Sequence, residues 1–69
     1  MKPFEELQPH QQRVVNEHAA LFARTEKLDL FQASDIYRDL PDDERKRMDR
    51  QLTYMQLYVN VLQERINAF

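Results

Sequence analysis

A chain of 69 residues with 10 basic and 12 acidic side chains, a formal charge of −2, no cysteine and no glycine excludes several classes of protein at once. Its length allows at most one domain with little interior, and without disulfides self-association is the remaining route to a stable fold. The charge argues against a dedicated binder of long nucleic acid, and zero glycine removes the phosphate loop and the dinucleotide fingerprint and points to an all-α fold. Met1 to Leu7 carries Lys2, Glu5 and Glu6, so no secretory leader is expected. No apolar run is long enough for a bilayer. The expectation is a soluble, cytoplasmic protein with no membrane contact.

In chain order, residues 1–8 form an arm in which Phe4 and Leu7 either dock on a neighbour or fray. Pro9 suits the first turn of a helix, whose leading N–H groups have no intrahelical acceptor. Helix 1 is expected over 9–31, with Leu7, Val14, Leu21 and Leu28 one heptad apart. The alternate positions, Gln11, His18 and Thr25, are polar, with Val15 and Phe22 beside them. Buried polar groups need partners. This ladder is therefore a wet, locally satisfied edge or one that faces something polar.

Residues 32–41 break the periodicity and predict a connector. Ser34 can cap a single helical turn through Asp35, Ile36, Tyr37 and Arg38, and Pro41 disfavours helix at the residue before it. Asp42, Asp43 and Glu44 suit the positive end of a following helix, with Asp39 or Leu40 expected at the cap. Helix 2 is expected over 42–67.

Helix 2 carries two apolar faces. One seam runs Met48, Leu52, Met55, Val59, Leu62, Ile66, Phe69; a second row runs Tyr54, Leu57, Tyr58, Val61. Together they cover roughly 220° of the helix at 100° per residue, more than one short partner helix can bury. The expected architecture is an antiparallel two-helix hairpin that assembles into a homo-oligomeric helical bundle. The Tyr54, Leu57, Tyr58, Val61 row is assigned to the oligomer interface, although periodicity alone does not say which face meets helix 1.

Catalytic chemistry is thin. Ser34, the one serine, sits where a cap is expected, and His10 and His18 lie eight residues apart, too far to grip one ion unaided. The expectation is no enzyme, no cofactor and no metal. Arg45, Lys46, Arg47 and Arg50 read as a solvated face, with Asp42–Lys46 and Asp43–Arg47 as i, i+4 pairs. Arg13, Arg24, Lys27, Arg38 and Arg65 among Tyr37, Tyr54 and Tyr58 offer cations and aromatics for a planar phosphorylated ligand. The plainer account of the tyrosines is a half-buried interface with wet hydroxyls.

Pro9-His10-Gln11-Gln12-Arg13-Val14-Val15-Asn16-Glu17, then Leu40-Pro41-Asp42-Asp43-Glu44, Gln51-Leu52, Met55, Tyr58, Val61-Leu62 and Arg65-Ile66 resemble a family of short proteins of tailed phages, prophages and crAss-like phages. The resemblance covers about Pro9 to Ile66, and its opening block is the more specific part. The family usually has charged residues where this chain has Phe22 and Ala23. The resemblance implies a small phage accessory protein in the infected bacterial host. By size, helicity and expected self-association the chain is more remotely similar to phage counter-defence sponges, which hide a cyclic nucleotide or ADP-ribose-type immune signal; this is an analogy and not a motif. It implies a ligand site drawn from His10, Gln11, Arg13, His18, Arg24, Lys27, Tyr54, Tyr58 and Arg65. The rival reading is a helical module that inhibits a host or defence protein through its second apolar face.

Overall fold

The computed structural model describes residues 2–69; Met1, the first residue of the expected arm, lies outside them. A single 3-10 turn, Phe4–Glu6, leads into α1 (Pro9–Phe31), the four-residue α2 (Asp35–Arg38) and α3 (Asp42–Asn67). The described residues are all-α. Leu7 is buried, so the arm is folded back at that point, and the side-chain amide of Gln12 donates to the Phe4 carbonyl at 3.0 Å.

Each long helix starts where local chemistry allows it. Pro9 occupies the first helical position of α1 behind an extended Gln8, and the Gln11 Oε1 reaches back to accept from the Gln8 N–H at 2.9 Å. One orphan donor of the helix start is thereby satisfied. In α3 the cap residue is Pro41 itself, in extended geometry and without a side-chain cap. This corrects the expectation of Asp39 or Leu40: proline's fixed φ already sets the entry angle, so no capping oxygen is needed upstream. Asp42, Asp43 and Glu44 follow in the first turn, where negative charge is favoured.

The connector is held at both ends. Ser34 caps α2, its Oγ accepting from the Tyr37 N–H at 3.2 Å while its hydroxyl donates to the Phe31 carbonyl at 2.6 Å. Tyr37 packs edge-on against Phe31 and donates its hydroxyl to Asp49 Oδ1 at 2.6 Å. Gln32 Nε2 donates to the same oxygen at 3.1 Å. One carboxylate of α3 thus fastens both sides of the turn.

α1 and α3 run antiparallel: Gln32 meets Asp49 near the connector and Glu17 meets Tyr58 further along, so the partner number falls as the α1 number rises. Val14 and Leu21 of α1 interlock with Leu62 and Ile66 of α3, and Val15, Met55, Val59 and Phe69 pack around them. Leu52 is also buried and Met48 half-buried. The Met48-to-Phe69 seam is therefore the intramolecular one. The second row stays outside, with Tyr54 67%, Leu57 56%, Val61 50% and Tyr58 44% exposed.

Two helices side by side make a rod. The molecule measures 48 × 16 × 14 Å with a radius of gyration of 15.4 Å, against about 11 Å for a globular chain of this length. Among the described residues such a shape has one line of contact for a core and no second layer. Its functional surface must be built from the flanks of the helices.

Candidate ligand-binding face

Helical spacing sorts the side chains of α1 into two flanks beside the core line. Arg13, Glu17, Arg24 and Lys27 fall in one row at i, i+4, i+11 and i+14. From the facing flank of α3, the Tyr58 hydroxyl donates to Glu17 Oε2, and Arg24 and Arg65 both lie within electrostatic reach of that phenol. Arg24 is steadied by a bond from its Nε to the Ala20 carbonyl at 3.3 Å. Three of the expected site residues, Arg24, Tyr58 and Arg65, are thus brought together from two helices. Glu17, the acceptor of the Tyr58 hydroxyl, is an addition that sequence reading missed; its spacing from Arg13 and Arg24 was the available signal.

The hydrogen bond to Glu17, then desolvation and the carboxylate's charge, raise the Tyr58 pKa above its ordinary value, while Arg65 and Arg24 pull it back. Tyr37 is raised in the same way, first by its bond to Asp49. A raised folded-state pKa stabilises the fold below the unfolded phenol value near 10, and that contribution disappears as pH climbs through the folded value. Following tyrosinate absorbance in an alkaline titration, Glu17→Gln should move one ionisation step to lower pH, and Tyr37→Phe should leave that shift intact. An unmoved step would place the Tyr58 hydroxyl away from Glu17.

A second feature adjoins this cluster along α3. Arg47, Arg50, Gln51, Tyr54, Met55 and Tyr58 line an open groove of about 480 Å³. The basic run read as a solvated face therefore supplies two arginines to a tyrosine-lined surface, at helical spacing that was legible beforehand. Arg47 is shared with Glu44 at 3.0 Å and Asp43 at 3.6 Å; Arg50 has no ion-pair partner among the described residues. Asp42 pairs with Arg45 one turn away, not with Lys46 as expected, because i, i+3 brings the longer, forked guanidinium back to the carboxylate.

The opposite flank holds a smaller groove of about 240 Å³ lined by Phe22, Thr25, Glu26, Asp29, Gln56, Val59 and Asn60. His18 belongs to this side, stacked on Phe22 at 6.2 Å, and is separated from Arg24 and Tyr58 by the core line. Thr25 is buried but donates to the Leu21 carbonyl at 2.7 Å. Together with the Gln11 bond at the α1 start, the polar ladder is largely satisfied by its own helix. His10, Arg13 and Lys27 are exposed, with His10 near the N-terminal end of α1. Among the described residues no three His, Cys, Asp or Glu side chains converge as a metal site, and no helix is long and apolar enough to cross a membrane.

The fold defines the class: an all-α hairpin of two long packed helices that presents charged and aromatic rows on its flanks. Residues 8–68 match the Sequestin family, and the chain belongs to that family. No curated protein and no solved structure matches it.

Proposed function

We propose that this chain is a non-enzymatic phage accessory protein that binds and holds a nucleotide immune signal as a homo-oligomer in the cytoplasm of the infected bacterium. The family name supports sequestration of a ligand. The observation that carries the nucleotide reading is the placing of Arg24 and Arg65 within electrostatic reach of Tyr58, whose hydroxyl is held by Glu17, beside the Arg47 wall of the adjoining α3 groove. Guanidinium forks pair with phosphate oxygens, and phenol rings stack on bases. No bond is made or broken; the ligand is only withheld.

The test is a thermal-shift screen against cyclic di- and trinucleotides and ADP-ribose derivatives, followed by recovery of the bound compound after denaturation. An intact compound supports sequestration, and a chemically changed one overturns it in favour of an enzyme. The exposed Tyr54, Leu57, Tyr58 and Val61 row favours a second reading, a module that blocks a host or defence protein. That reading wins if no nucleotide raises the melting temperature while a lysate pull-down recovers one stoichiometric protein. For the homo-oligomer, Leu57→Asp or Val61→Asp is expected to lower the assembly state in light scattering while helicity is kept, since both positions are exposed within the hairpin. A wild type that is a folded monomer at micromolar concentration would defeat it.

A further inference from the structure

We infer that two hairpins pair through α3 as an antiparallel two-fold dimer whose axis passes between Leu57 and Tyr58. This rests on the reading that the chain self-associates, and adds the orientation, the register and the residues that set them. The exposed face of α3 has an apolar centre, Tyr54, Leu57, Tyr58 and Val61, with Arg50 and Glu64 at the two ends of its Leu57 margin and Gln51 and Arg65 at the two ends of its Tyr58 margin. Arg50 lies seven residues before Leu57 and Glu64 seven residues after it, two full turns either way and on the same stripe. Both are exposed, and neither has an ion-pair partner among the described residues.

That symmetry selects the pairing. In an antiparallel dimer Leu57 meets its counterpart, and Arg50 of each copy meets Glu64 of the other, making two equivalent ion pairs. A parallel pairing on the same stripe would set Arg50 against Arg50 and Glu64 against Glu64, which is repulsive at both ends. Tyr54 then packs on Val61 of the second copy twice over. Leu57 and Tyr58 lie about 100° apart around the helix, so they take opposite margins of the contact. Tyr58 is on the margin nearer its own α1, as its bond to Glu17 requires.

The two-fold has a consequence for the ligand face. An axis normal to the plane of the paired α3 helices keeps both α1 helices on the same side, so the Tyr58 margins of the two copies face one another between them. Arg24 and Arg65, which lie within electrostatic reach of Tyr58 in one copy, then gain the same pair from the second. The open flank becomes a cleft with walls and doubled positive charge, suited to a ligand carrying more than one phosphate.

The register is tested by charge reversal on the full chain. Arg50→Glu or Glu64→Arg alone puts like charges at both ends of the contact and should weaken the dimer at least about tenfold in dissociation constant, while circular dichroism reports unchanged helicity. The double variant should recover wild-type association in sedimentation equilibrium. If the wild type associates but the double variant is no tighter than the single ones, the register is wrong and self-association still stands. If the wild type is a monomer, both fall, and nucleotide binding is judged separately by the thermal-shift screen. Because the chain has no cysteine, Leu57→Cys provides a second measurement: a short bis-maleimide should link it into a covalent dimer and leave Gln63→Cys, on the far side of α3, unlinked. The reverse pattern overturns the proposal.

Discussion

Leu62→Asp is expected to abolish the folded hairpin, with helical circular dichroism and the cooperative melt both lost at 25 °C. Among the described residues Leu62 is the most deeply buried side chain, at 1% exposure, and it packs with Val14, Leu21 and Ile66 in the core line between α1 and α3. An aspartate there must stay charged without a partner or take up a proton, and either outcome costs several kcal/mol on top of the lost leucine burial. A chain of this length has a total stability of about 3–10 kcal/mol. The two quantities are of the same size, so one substitution empties the native state. Val59, half-buried beside the same cluster, should show a smaller loss when replaced by a charge. The contrast with Leu57→Asp on the outer row is the informative part. Equal loss of helicity at positions 57 and 62 would mean that the outer row is as essential to folding as the inner seam.

The second large effect is ligand-dependent. A compound that binds only the native state at about a hundred times its dissociation constant adds about 2.7 kcal/mol, and in a chain this small that raises the melting temperature by more than about 10 °C. Replacing Tyr58 by alanine removes a stacking surface worth about 1–3 kcal/mol and frees Glu17 from its hydrogen bond. The freed carboxylate then adds an unpartnered negative charge beside the site, which disfavours a phosphate. Tyr58→Ala should therefore cut the thermal shift far more than Tyr58→Phe, which keeps the ring. His18→Ala, on the other flank with Phe22, should leave the shift nearly unchanged. A shift lost equally in all three variants would indicate general destabilisation and not a site at Tyr58.

Much of this molecule is decided within a few residues of each position. Absence of glycine, the 3.6-residue apolar spacing, Pro9 and Pro41 at helix starts, and Ser34 capping a single turn are local preferences. They point to an all-α chain with two long helices before any contact is known. They also reveal that α3 has two apolar rows. Local pattern could not say which row faces α1, because both have helical spacing. Only packing settles it: the Met48-to-Phe69 seam runs from the second turn of α3 past its C-terminal end and meets Val14 and Leu21, while the Tyr54-to-Val61 row covers only its middle. The grouping of Tyr58 with Glu17, Arg24 and Arg65 is likewise tertiary. It depends on the rotation of α1 about its own axis relative to α3, a quantity no single helix encodes. Asp49 was passed over for the same reason, since its work is to accept bonds from Gln32 and Tyr37, 17 and 12 residues away. Sequence by itself determined the helices and their sticky rows; the docking of α1 on α3 decided which charges became neighbours, because a charge's partner is set by distance in space.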